Sequence, residues 1–100
     1  MVLVVFRNRL RGPNPPGYES VAERMALLAQ QQPGFRAIKT FAAEDGERVT
    51  ISEFDSLDAV NAWRANLEHL EAQRRGRAEF YAEYSLQTCE LVREAKFAVK

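Results

Sequence analysis

The first strand predicted from the sequence is apolar on both faces, which restricts the folds open to this chain. Residues 2–10 read VLVVFRNRL, and successive side chains of a strand point to opposite sides. Val4 and Phe6 therefore lie on one side, with Leu3 and Val5 on the other. A sheet built on such a strand has to be covered on both faces.

The rest of the pattern predicts two helices and three more strands. The proline- and glycine-rich segment at residues 11–17 is a loop, because both residue types interrupt helices and ladders. Asp45-Gly46 indicates a tight hairpin. The second helix carries an apolar stripe of Val60, Trp63, Leu67 and Leu70. The predicted elements are strands at residues 2–10, 35–43, 47–55 and 84–96, a helix from residue 18 to Pro33-Gly34, and a helix from residue 56 to a break at Gly76.

This order of elements predicts an α+β fold, the ferredoxin-like β-α-β-β-α-β sandwich, as one domain over residues 1–100. Its four-stranded antiparallel sheet has helices on one face. Two helices leave the second apolar face open, and in so short a chain the simplest cover is another copy of the same sheet. We therefore predict a homodimer, a dimeric α/β barrel.

Charge and composition exclude several functional classes. Fourteen basic residues balance fourteen acidic ones, so the chain lacks the basic excess that binds nucleic acid or an anionic membrane surface. No apolar run approaches the roughly 20 residues of a membrane span. Cys89 is the only cysteine, which permits no internal disulfide and predicts a cytoplasmic protein. The single histidine cannot build a metal site of two or three histidines.

Candidate functional residues concentrate on the second helix and just after it. Asn66, His69 and Gln73 form a polar stripe at helical spacing, and His69 can exchange a proton near neutral pH. The alternative for His69 is a partly exposed residue on a helix flank. Trp63 is either a core residue or a pocket wall, and an indole can be both.

Two further positions stand out. Asn8 interrupts an apolar strand face, so its amide either bonds to nearby backbone or water, or donates into a cavity. An aromatic cluster follows Gly76 and serves either packing or a pocket. Its members are Phe80, Tyr81 and Tyr84.

These motifs together resemble the antibiotic biosynthesis monooxygenase family. The resemblance covers nearly all of the chain, through MVLVVFRNRL, QQPGF, AVNAW and EHLEAQRRGRAEFYAEY. It implies a dimeric barrel with a pocket between helices and sheet in each subunit. It also implies oxidation of a small aromatic phenol, quinol or anthrone by molecular oxygen, with no metal, flavin or haem cofactor.

On this resemblance we expect His69 to be the proton acceptor or an anion-binding group, and Asn8 to donate a hydrogen bond to a substrate oxygen. The substrate-binding residues would be Trp63, Asn66, Gln73, Phe80, Tyr81 and Tyr84. A sister group that degrades haem has a histidine ten residues after the tryptophan, where this chain has Gln73, so haem breakdown is less expected. The main alternative is a non-catalytic binding protein for a small aromatic metabolite.

Overall fold

A computed structural model describes residues 1–100 and contains the predicted α+β ferredoxin-like fold. The elements in chain order are β1 (Val2–Leu10), α1 (Tyr18–Gln30), β2 (Phe35–Ala42), β3 (Arg48–Phe54), α2 (Leu57–Ala65), α3 (Leu67–Arg75), a π-helical turn (Gly76–Phe80) and β4 (Tyr81–Glu90).

The four strands form one antiparallel sheet in the order β2-β3-β1-β4. In this register Asn8 of β1 lies opposite Arg48 of β3 on one side and Tyr84 of β4 on the other. Because side chains alternate along a strand, Asn8 shares its face of the sheet with Val4 and Phe6.

The helices pack on that same face of the sheet. Phe54 of β3 and Val60 of α2 are completely buried there, and the surrounding core consists of Val2, Leu28, Ala29 and Trp63. On the opposite face Val5 and Ile51 are only partly buried and Phe41 is 49% exposed. The chain alone therefore covers one side of its sheet.

The prediction of one continuous second helix is wrong, because the helix is divided at Asn66. The backbone of Asn66 is extended (φ −61°, ψ 125°), and its Oδ1 accepts a hydrogen bond of 3.1 Å from the backbone N–H of His69. Asparagine favours such helix-capping positions because its side chain satisfies a free N–H of the first turn. The predicted apolar stripe ends at this break, with Leu67 82% and Leu70 44% exposed.

The last strand begins and ends earlier than the predicted range of 84–96. It begins at Tyr81, directly after the π-helical turn, and ends at Glu90. Glu90 lies opposite Val2, the first residue of β1, so no partner strand remains beyond it. The following residues lie outside the sheet, and Phe97 among them is 90% exposed.

None of the helices has both the length and the apolar surface that crossing a membrane requires. The cytoplasmic location stays a prediction.

Candidate functional site

A cavity of about 610 Å³ lies between the helices and the sheet. Its volume falls in the range of about 300–1,000 Å³ that is typical of small-molecule sites. Fourteen of its 24 lining residues are hydrophobic, so it suits an apolar ligand with a few polar groups. Six of the eight candidate site residues line it: Trp63, His69, Gln73, Phe80, Tyr81 and Tyr84.

Two aromatic rings from the two halves of the divided helix are stacked in the wall of this cavity. The His69 and Trp63 ring centroids lie 4.1 Å apart, and the two planes differ by 17°. Trp63 lies near the C-terminus of α2 and His69 in the first turn of α3, with the extended residue Asn66 between the two helices. The indole is 8% exposed and belongs to the core as well as to the cavity.

The hydrogen bond and the burial of His69 determine its tautomer and its charge. Its Nδ1 lies 3.2 Å from the backbone carbonyl oxygen of Trp63. A carbonyl oxygen can only accept, so Nδ1 carries a proton, and in the neutral imidazole Nε2 keeps a free lone pair. Burial lowers the pKa of His69, and the bond to the Trp63 carbonyl opposes this in part. The imidazole is therefore neutral at neutral pH and able to accept a proton at Nε2.

The other side of the cavity is an aromatic cluster in edge-to-face contact. Tyr81 lies 5.3 Å from Phe6 and 5.8 Å from Tyr84 between ring centroids, and Tyr18 lies 5.7 Å from Phe80. Burial raises the pKa of the Tyr81 hydroxyl well above its ordinary value, and Tyr18 raises it further while Arg48 acts in the opposite direction. Tyr81 therefore stays protonated and can donate a hydrogen bond.

The π-helical turn places this cluster. The Arg11 guanidinium donates hydrogen bonds to three backbone carbonyls at the turn, those of Arg77 (2.6 Å), Ala78 (2.9 Å) and Tyr81 (2.9 Å). Gly76 at its start is buried, and a Cβ there would lie 2.6 Å from Cε2 of Tyr81. The glycine thus allows the Tyr81 ring to lie directly against the backbone.

The two remaining candidates, Asn8 and Asn66, do not line the cavity. Asn66 caps α3 through its side chain. Asn8 is 3% exposed, and its Oδ1 is buried without a hydrogen-bond partner. It lies in the sheet between Arg48 and Tyr84, two residues that do line the cavity.

Several polar residues that line the cavity were not among the predicted site residues. Arg48, Thr50 and Ser52 of β3 all line it, as does Tyr18 at the start of α1. The alternation along β3 was the available signal, because Arg48 shares a face with Thr50, Ser52 and the core residue Phe54. A polar group on an otherwise buried sheet face indicates a cavity.

Comparison with known proteins confirms the resemblance. Residues 1–75 match the protein family described as antibiotic biosynthesis monooxygenase. The chain belongs to this family. Its relative YqjZ of Bacillus subtilis, an uncharacterized protein, is 37% identical over 94 residues, which are 94% of this chain and 82% of YqjZ.

Solved structures of similar fold include family proteins. SnoaB of Streptomyces nogalater, a cofactor-independent oxygenase, superposes with a TM-score of 0.71 and 28% sequence identity, over 91% of this chain and 94% of SnoaB. Rv0793 of Mycobacterium tuberculosis superposes with a TM-score of 0.81 and 18% identity, over 95% of this chain and 98% of its own. The second likeness is one of fold alone.

Proposed function

We propose that this protein is a cofactor-independent monooxygenase that oxidises a small aromatic phenol, quinol or anthrone with molecular oxygen. The observation that carries the proposal is the neutral, partly buried His69 stacked on Trp63 in the wall of an apolar cavity. Membership of the monooxygenase family and the likeness to SnoaB, a cofactor-independent oxygenase, support it.

The electrons in this reaction come from the substrate. In an anthrone, His69 Nε2 takes one proton from the CH₂ group between the two aryl rings and leaves an electron-rich enolate. The enolate transfers one electron to oxygen, and the resulting radicals combine to a peroxide on the same carbon. The proton returns from His69 to the outer peroxide oxygen. Loss of water then leaves a carbonyl, so one O₂ supplies one product oxygen and one water.

The cavity residues have distinct roles in this scheme. Trp63 and Phe80 hold the aromatic rings and exclude water from the charged intermediate. Tyr81, which stays protonated, donates a hydrogen bond to the developing enolate oxygen, and Tyr84 and Gln73 contact the substrate beside it. Direct contact of Asn66 or Asn8 with the substrate stays a prediction.

The test is oxygen consumption by the protein with 1,8-dihydroxy-9-anthrone and with 1,4-dihydroxynaphthalene. We expect one O₂ consumed per anthrone and a His69→Gln variant slower by about 10²- to 10⁴-fold, the usual contribution of a general base. Glu71→Gln on the exposed side of α3 is the matched control and should keep the rate. Saturable binding without oxygen consumption would instead favour the non-catalytic binding protein, and full activity of His69→Gln would contradict the role of His69.

We also infer that the protein is a homodimer whose second copy covers the open face of the sheet. An apolar patch lies there that no helix of the same chain covers, formed by Leu3, Val5, Val49 and Ile51.

The oligomeric state tests this inference. Sedimentation equilibrium should give twice the chain mass at micromolar concentration. Ile51→Arg should give monomers, because a charge would be buried between the sheets. The exposed control Ala62→Arg should leave the dimer intact, and a monomeric parent protein would contradict the inference.

A further inference from the structure

The charge of the cavity wall differs from that of the chain as a whole. The chain has no net charge, yet the 24 residues that line the cavity include three cations and no aspartate or glutamate. The cations are Lys39, Arg48 and Arg64. The Lys39 ammonium lies over the Phe41 ring on the open face of the sheet, so only the two arginines can direct their charge into the cavity. A cavity with only positive side chains in a low-dielectric wall attracts an anionic ligand.

Arg48 is the cation most closely built into the site. Arg64 is exposed on α2, whereas Arg48 is half-buried on the helix face of β3 and its guanidinium lies 5.7 Å from the centroid of the Tyr18 ring. No ion pair neutralises Arg48. Glu19 and Glu23 line a smaller depression of about 270 Å³ together with Arg48, but neither approaches it within ion-pair distance.

Arg48 and Asn8 also hold two unsatisfied polar atoms at the same place in the sheet. The Nε of Arg48 and the Oδ1 of Asn8 are the buried side-chain atoms without a hydrogen-bond partner. The two residues lie directly opposite each other on β3 and β1, where Cβ atoms are about 4.5–5.5 Å apart. One is a donor and the other an acceptor, so the two groups are chemically complementary.

We propose that Arg48 is a specificity-determining residue that binds a carboxylate on the aromatic substrate. The planar guanidinium presents two parallel N–H groups, which match a carboxylate in bidentate geometry. In this proposal Asn8 is a positioning residue: when the carboxylate binds, Oδ1 of Asn8 accepts a hydrogen bond from Nε of Arg48 and leaves the terminal nitrogens to the ligand. This inference rests on the proposed function for the aromatic substrate, but it concerns binding and not the reaction with oxygen.

The test is calorimetric binding, under argon, of three ring-matched probes: 3-hydroxy-2-naphthoate, its methyl ester and 2-naphthol. The protein should bind the carboxylate about 10- to 100-fold more tightly than the ester or the naphthol, as expected for hydrogen bonds to a charged group. Arg48→Met should abolish this preference and leave 2-naphthol binding within about threefold. Arg64→Met is the control and should retain most of the preference. Asn8→Leu should reduce the ratio of carboxylate to ester affinity, because Nε of Arg48 then has no acceptor.

Two results would overturn the proposal: equal binding of carboxylate and ester by the parent protein, or the same loss of preference in Arg64→Met as in Arg48→Met. The ester comparison needs no variant, so equal affinities would overturn the proposal even if Arg48→Met fails to fold. Exclusion of oxygen separates this test from the monooxygenase assay. A carboxylate preference without oxygen consumption would leave Arg48 in its role and remove the catalytic proposal. Oxidation of neutral anthrones without a carboxylate preference would support the catalytic proposal and remove the role of Arg48.

Discussion

The imidazole of His69 is fixed by two contacts with Trp63. It stacks on the indole at 4.1 Å between centroids, and its Nδ1 lies 3.2 Å from the carbonyl oxygen of the same residue. The stack sets the plane of the imidazole, and the hydrogen bond sets which nitrogen carries the proton. Nε2 is thereby left as the proton acceptor.

The oxidation rate should depend on pH through His69. Burial lowers its pKa below the ordinary value of about 6.5, so the neutral form predominates at pH 7. The rate should stay constant from pH 8 to about 6.5 and fall at lower pH as the imidazole takes up a proton. Oxygen-uptake rates from pH 4.5 to 8 check this. A profile whose midpoint lies above 7 would contradict the assignment.

Stability should show the same titration. The unfolded chain takes up a proton at His69 before the folded protein does, because the folded pKa is the lower one. The contribution of neutral His69 is therefore present above about pH 6.5 and lost as pH falls through the folded pKa. The difference in unfolding free energy between the parent and His69→Gln should shift against the parent between pH 7.5 and 5. Urea titrations at both values measure it, and a constant difference would contradict it.

Substitutions of Trp63 and Leu67 should have very different effects on stability, because only Trp63 is part of the observed core. Both belong to the predicted stripe, but Trp63 is 8% and Leu67 82% exposed. Trp63→Ala should lower the free energy of unfolding by about 3–5 kcal/mol, as for other large aromatic residues removed from a core. Leu67→Ala should change it by less than about 0.5 kcal/mol. Equal losses in urea unfolding would show that the stripe continues through Asn66.

Local pattern predicted the fold well because the pattern was long and periodic. The two-faced apolar strand, the hairpin at Asp45-Gly46 and the order of elements correspond to the observed sheet. The end of β4 was not predictable from its own residues. It is set by where β1 begins, since Glu90 pairs with Val2 and only one further backbone hydrogen bond, from Leu91 N–H to the Met1 carbonyl (3.0 Å), follows.

The residues that line the cavity were predicted only in part, because a sequence pattern groups residues that are near one another along the chain. His69 and Gln73 of one helix and Phe80 of the turn after it are close in sequence, and all three line the cavity. Arg48 and Tyr18 enter the cavity from other elements, and only the sheet register brings Arg48 next to Asn8. Asn66 was predicted only as a substrate-binding residue, although the same side-chain oxygen can cap a helix, as it does for α3.

Substitution of Asn66 distinguishes its role as a helix cap from contact with the substrate. As the cap of α3, its loss in Asn66→Ala should cost about 1 kcal/mol of stability. The variant should also lower the oxidation rate by displacing His69, whose backbone N–H the Asn66 side chain accepts from. Asn66→Ser keeps a capping oxygen and should restore most of the stability and the rate. A raised KM in both variants, with stability unchanged, would instead support contact between Asn66 and the substrate.

The folded protein should require glycine at position 76, because the Tyr81 ring occupies the space that a Cβ would need. A Cβ at position 76 would lie 2.6 Å from Cε2 and 2.8 Å from Cδ2 of Tyr81. That ring cannot move freely, since Phe6 lies 5.3 Å and Tyr84 5.8 Å from it between centroids. Gly76→Ala should therefore destabilise the protein by about 1–3 kcal/mol, the usual effect of overpacking.

A double-mutant cycle distinguishes this clash from a backbone effect. Gly76 has helical φ and ψ (−55°, −50°), where alanine is intrinsically better than glycine by about 1 kcal/mol. In a Tyr81→Ala background the clash is absent, so adding Gly76→Ala should leave stability unchanged or raise it. The two unfolding free-energy differences should thus have opposite signs or differ by more than about 1 kcal/mol, the scale of coupling between touching residues. The same loss in both backgrounds would mean that the turn itself, and not the Tyr81 ring, requires glycine at this position.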